Sequence, residues 1–129
     1  MKLQEILLNY DDVVSGDFKN LKNFNFSGVY IICDEKDRVV YVGSAYARTI
    51  NVRLKQYLRS NDSGNTLGKT IAKKLSDSRK YDDKAKERIE EAIKVIKSYK
   101  IYAIPHNDLE YKLIQDFKPK YNNCGKGED

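Results

Sequence analysis

The chain has 129 residues, 40% hydrophobic and 33% charged, which suffices for one core but is too short for a catalytic module joined to a separate recognition domain. Lys and Arg outnumber Asp and Glu by 24 to 19, and the +5 charge on so small a body attracts polyanions, while serving solubility as well. Only Cys33 and Cys124 occur, far apart and without a CxxC, which argues against a disulfide framework and a zinc site.

In chain order, residues 3–9 predict one or two helical turns, with an Ile6-Leu7-Leu8 run too brief for a signal peptide or a membrane span. A cytoplasmic protein without membrane contact is therefore expected. Residues 10–26 are polar, with Gly16 and several Asn, and predict no defined element. The β-branched runs SGVYIICD and RVVYVG flank a short charged turn and predict a hairpin. A turn centred between Glu35 and Lys36 sets Tyr30 opposite Tyr41 and Gly28 opposite Gly43, with the two tyrosines forming one platform.

Residues 46–59 predict a helix with Ile50, Leu54 and Leu58 as its core stripe and with Arg53 and Tyr57, four apart, on its flank. A turn over 60–64 leads to a second helix capped by Asn65 or Thr66, with Leu67, Ile71 and Leu75 inward and Lys69, Lys73 and Lys74 outward. A third helix, about 82–98, carries Ala85, Ile89, Ala92, Ile93 and Ile96 on one face. Residues 99–104 predict a strand ended by Pro105. The last helix starts near Asn107 or Asp108, carries Leu109, Leu113 and Phe117, and stops before Pro119.

The pair Gly28-Val29-Tyr30 and Tyr41-Val42-Gly43 resembles the motif that names the GIY-YIG nucleases, with Val at both middle positions. Arg53 and Tyr57 resemble that family's Arg followed four residues on by His or Tyr, and Glu110 through Asn122 resembles its metal-binding Glu helix ending in a Pro-x-x-Asn turn. The phrases YVGSA (41–45) and SGNT (63–66) look like a branch with restriction-type and phage-encoded members. Arg53 lies slightly farther from Gly43 than in many members, and Arg48 competes for its role without an aromatic partner.

The resemblance spans residues 27–122, leaving 1–26 as an N-terminal extension and 123–129 as a polar tail. It implies an α+β domain, a three-stranded antiparallel sheet flanked by helices, that cleaves DNA with Mg²⁺ or Mn²⁺. A hard cation takes oxygen ligands and often only one or two carboxylates, so Glu110 alone suffices as the metal residue. The implied catalytic set is Tyr30, Tyr41, Arg53, Tyr57 and Glu110, converging on one concave face: Tyr30 takes a proton from water with help from nearby cations, and Arg53 faces the phosphate. Tyr41 and Tyr57 orient water and phosphate, while Gly28 and Gly43 leave room for the phosphate. Arg48, Lys55, Arg59, Lys69 and Lys73 are the cations expected along DNA, with Asn122 completing the binding set.

Plainer readings compete residue by residue. Asn107 and Glu110 form an N-x-x-E capping box, Arg53 suits a solvated helix flank, the tyrosines suit packing, Asn122 suits a turn, and His106 suits a loop end. The rival functions are a nucleic-acid-binding module that keeps the fold without cleaving, and a structural or partner-binding domain. Target site and strand count stay open; double-strand cleavage would imply a homodimer or two sequential events, and any specificity would come from this domain or from a recognition partner.

Overall fold

The computed structural model describes residues 3–59, 65–76, 85–106 and 109–122. The predicted turn at 60–64, the helix start at Asp82, the caps Asn107 and Asp108, Cys124 and the tail lie outside the described residues. Among the described residues, five helices surround one antiparallel sheet. They run α1 (Leu3–Asn9), β1 (Val14–Asp17), a short 3₁₀ turn (Lys22–Phe24), β2 (Gly28–Cys33), β3 (Val39–Ala45), α2 (Ile50–Gln56), α3 (Thr66–Ser76), α4 (Ala85–Ile96), β4 (Lys100–Ile104) and α5 (Glu110–Phe117). The α+β class agrees with expectation. The sheet has four strands rather than three, in the order β1-β4-β2-β3.

The extra strand comes from the stretch that predicted no element. Val14 pairs with Ala103 and Asp17 with Lys100, so β1 covers the edge of β4 that a three-stranded sheet would leave open. Its sequence, VSGD, has no hydrophobic alternation because both neighbouring faces are half-solvated. Phe18, Leu21 and Phe24, just beyond it, are buried in the core.

Strand alternation divides the interior into two layers. Tyr30, Ile32, Ile101 and Ala103 face a cluster filled by Ile50, Leu54, Leu67, Ile71, Ile93 and Ile96, from α2, α3 and α4. Val29, Ile31, Val42 and Ile104 face the opposite cluster, closed by Leu3 and Ile6 of α1 and Leu113 of α5. The six residues of β2 are all buried, as befits a central strand covered on both faces.

The hairpin register differs from expectation by two residues: Tyr30 pairs with Gly43, Gly28 with Ala45, and Ile32 with Tyr41. Two local causes add up. The Asp34 carboxylate accepts from the backbone N–H of Lys36 (2.9 Å) and of Arg38 (3.0 Å), and Asp37 adopts φ 60°, so the loop closes from Asp34 to Arg38. A bulge between Ile32 and Cys33 then shifts the register again.

The outer edge of β3 is capped by the chain's last described turn. Tyr121 N–H donates to the Val40 carbonyl at 3.0 Å. The Asn122 amide then imitates a strand, its Oδ1 accepting from Val42 N–H at 2.7 Å and its Nδ2 donating to Val42 C=O at 2.7 Å. Lys118, in the left-handed region at φ 47°, ends α5 and turns the chain toward this edge.

Candidate active site

Four of the predicted residues meet on the face of the sheet covered by α2. Tyr30 is central: its hydroxyl hydrogen-bonds that of Tyr57 at 2.5 Å, and its ring lies 6.4 Å from Tyr41 and 6.2 Å from Tyr57. Tyr41 and Tyr57 meet edge to face at 6.0 Å, and the Arg53 guanidinium lies 4.9 Å from the Tyr57 ring centre. Tyr41 reaches Tyr30 diagonally across the strands rather than directly, a consequence of the shifted register.

Tyr57 sits deeper than a helix-flank position predicts. Helix α2 ends at Gln56, and Tyr57 caps it with its ring wholly buried. Asn65 fixes that end. Its Nδ2 donates to the carbonyls of Tyr57 (3.1 Å) and Arg59 (2.9 Å), while its Oδ1 accepts from Gly68 N–H at 2.8 Å and caps α3. One buried amide thus closes two helices and holds the tyrosine backbone. The predicted α2 start also moves: residues 46–48 are a bend, and the helix begins at Ile50.

Burial dominates the electrostatics of this cluster. It pushes the Tyr30 hydroxyl far above the usual tyrosine range, with the neighbouring Tyr41 adding to the rise, while hydrogen bonds from Tyr57 and Arg53 and the Arg53 charge pull the other way. Tyr57 is raised chiefly by burial and then by its two tyrosine neighbours. Burial also works against the Arg53 charge, but the surrounding tyrosines outweigh it and Arg53 stays cationic. The cation expected to lower Tyr30 is therefore present and acts in that direction, yet desolvation is larger and Tyr30 rests protonated.

Gly28 and Gly43, expected to leave room for a phosphate, lie tight against protein neighbours. A Cβ at Gly43 would collide with the Tyr30 hydroxyl, and one at Gly28 would collide with the Ile104 carbonyl and come within 2.8 Å of Pro105 Cα. Each glycine admits a protein neighbour. Asn122 is likewise 8% exposed with its amide bonded to Val42, so it positions β3 instead of reaching outward.

Glu110 approaches from the other side of the sheet. Ser44 pairs with Val29 and so shares the α5 face, where its Oγ donates to Glu110 Oε1 at 2.7 Å. The expected single face thus becomes two, because Tyr41, Gly43 and Ser44 obey the alternation of one strand. At the end of β3 lies an open pocket of about 330 Å³ lined by Ser44, Tyr46, Arg48, Arg53 and Gln56; Arg53 is the member of the expected catalytic set in its wall, with Glu110 one hydrogen bond behind Ser44. Ser44 touches both: it lines the pocket with Arg53 and bonds Glu110. Glu110 opens α5 with Leu109 at the N-cap position and no side-chain cap bond from it.

The donors on offer at Glu110 are a carboxylate and a hydroxyl, an all-oxygen set that suits a hard cation keeping most of its water. Among the described residues, no group of three or more His, Cys, Asp and Glu gathers anywhere, the surroundings of Glu110 included. Arg48 lines the pocket, Lys55, Arg59 and Lys73 are exposed on α2, its exit and α3, and Lys69 is half-buried.

Three site residues escaped the sequence reading. Ser44 appears there only inside the YVGSA phrase. Gln56 holds Arg53 Nη1 at 2.6 Å from one helical turn away, a spacing that an i, i+3 scan for Arg partners would reveal. Asn65 is the expected cap of α3, and what no pattern marks is its hold on the Tyr57 and Arg59 carbonyls. Among the described residues, no helix is long and apolar enough to cross a membrane.

No curated protein matches the chain in sequence. A family model described as the GIY-YIG catalytic domain matches residues 26–122, from just before β2 to the asparagine that clamps β3, and the chain belongs to this nuclease family.

Proposed function

We propose that the domain is a metal-dependent DNA endonuclease that hydrolyses a phosphodiester at the pocket beside β3. The observation that carries this reading is the pocket itself, in which a guanidinium held among three tyrosines meets a hydroxyl bonded to a carboxylate. Arg53 supplies a permanent, planar charge for the phosphate, oriented by Gln56 at 2.6 Å and by Thr66 at 3.3 Å.

Tyr30 and Tyr57 form one buried hydroxyl pair behind Arg53, which lines the pocket. Both Tyr57 and Arg53 favour negative charge on the Tyr30 oxygen, which makes Tyr30 the cluster member best suited to receive a proton from the attacking water. Tyr41 orients the same water or phosphate. Glu110 would hold Mg²⁺ or Mn²⁺, which when bound polarises the phosphate and stabilises the leaving oxygen. Arg48, Lys55, Arg59, Lys69 and Lys73 extend positive charge from the pocket along α2 and α3 for the DNA backbone. The YVGSA phrase is the ground for assigning the domain to the branch with restriction-type and phage-encoded members.

The test is supercoiled plasmid incubated with the protein, with and without Mg²⁺ or Mn²⁺, beside Glu110→Gln. Metal-dependent nicking by the wild type and none by Glu110→Gln, with matched melting curves, is the expected result. DNA binding without nicking would instead identify a binding module that keeps the fold. Nicking by Glu110→Gln at the wild-type rate would remove Glu110 as the metal residue.

A further inference from the structure

We infer that Ser44 is a positioning residue that sets how Glu110 meets its cation, and thereby which cation the site accepts. This rests on the metal reading of Glu110 given above.

The two oxygens of the Glu110 carboxylate are not equivalent. Ser44 Oγ donates to Oε1 at 2.7 Å, a charge-assisted bond in a half-buried setting. Ser44 itself is fixed by the β2–β3 ladder opposite Val29, on a strand whose next-but-one residue back, Val42, is locked by Asn122. The hydroxyl therefore comes from the sheet backbone, and it holds Oε1 while Oε2 has no hydrogen-bond partner among the described residues.

Cations differ in what they ask of such a carboxylate. Mg²⁺ demands a compact octahedral shell and takes a carboxylate through one oxygen, retaining several waters, whereas the larger, more flexible Ca²⁺ shell accepts both oxygens. A donor seated on Oε1 opposes two-oxygen ligation and leaves one-oxygen ligation intact. Ser44 thus favours Mg²⁺ and Mn²⁺ over Ca²⁺ through a bond that touches no metal. Partners of this kind typically change metal affinity by about 10–100-fold when removed.

The experiment titrates Mn²⁺ alone into the full chain, following the free-ion signal by electron paramagnetic resonance, and repeats the titration with Ca²⁺ as competitor. Wild type, Ser44→Ala, Ser44→Thr and Glu110→Gln are compared, with melting curves for each. Ser44→Ala is expected to bind Mn²⁺ about tenfold more weakly and to lose most of its preference over Ca²⁺, while Ser44→Thr, which keeps the hydroxyl, restores both. Wild-type affinity and preference in Ser44→Ala, with binding still lost in Glu110→Gln, would overturn the role of Ser44 alone. Undiminished binding in Glu110→Gln would overturn the metal reading, and this inference with it.

Discussion

Asn122 offers the sharpest separation between a residue that contacts substrate and one that builds the site. Its side chain makes two 2.7 Å hydrogen bonds to the backbone of Val42, a residue with no exposed surface. Asn122→Ala leaves that N–H and that C=O without partners on an edge strand that Tyr121 covers two residues earlier. An orphaned buried polar group costs about 1–3 kcal/mol, and partial rehydration at an edge favours the lower half, so the pair should cost about 2–4 kcal/mol. For a domain of this size, at about 4 °C per kcal/mol, the melting temperature should fall by about 8–16 °C.

Thermal and urea unfolding measure this directly, with DNA binding compared at a temperature where both proteins are folded. Asn122→Asp should be little better, since it keeps the acceptor for Val42 N–H but sets a carboxylate oxygen against the Val42 carbonyl. The reasoning is refuted if Asn122→Ala melts within about 2 °C of wild type while losing DNA affinity, because that pattern belongs to a substrate contact.

Three other outcomes are expected. Gly43→Ala puts a methyl group where the Tyr30 hydroxyl lies, so it should lower stability by about 1–3 kcal/mol and abolish nicking, whereas an unperturbed melt would mean the ring has room to move. Because burial holds Tyr30 protonated well above its usual range, the proton-accepting form grows about tenfold per pH unit; the logarithm of the single-turnover rate should therefore climb with slope near one from about pH 6.5 to 9. A plateau near neutrality, or the same slope in Tyr30→Phe, would exclude Tyr30 as the base. DNA affinity should fall with salt at about 0.9 log units per log unit for each phosphate neutralised, and Lys55→Ala or Lys73→Ala should each reduce that slope if those exposed cations lie on the DNA path.

Which parts of this domain could be read in advance follows from how local each cause is. Helix stripes such as Ile50 with Leu54 and Leu67 with Ile71 were legible because burial repeats with the helical period. The register was not, because it depends on a carboxylate at Asp34 capturing two amides and on a bulge that no hydrophobic pattern marks. Strand β1 was illegible for a related reason: its pairing with β4 lies far away in sequence, and VSGD has no alternation to advertise it. The gathering of Tyr30, Tyr41, Arg53 and Tyr57 was legible from the motif order, which also led to Glu110 being expected beside them. Their division between two faces was not, since it needed the true partner of Ser44.

That division has a consequence for how the site is built. Tyr30 and Tyr57 are core residues as much as members of the proposed catalytic set, each almost fully enclosed, and their hydroxyls bond each other in the interior. A change at either must disturb packing and chemistry together, because a lone buried hydroxyl is destabilising. Glu110 is different. It is half-exposed at the first turn of a short helix, with a hydroxyl from the edge strand on one oxygen, so its charge can be removed with little loss of packing. The rigid half of the site, anchored in the sheet and α2, holds the aromatic hydroxyls and the guanidinium still. The half-exposed Glu110 carboxylate, bonded to Ser44 at the end of β3, is open to solvent. A single edge strand joins the two, and Asn122 holds that strand from outside, so the turn after α5 bears on their alignment through the Val42 backbone.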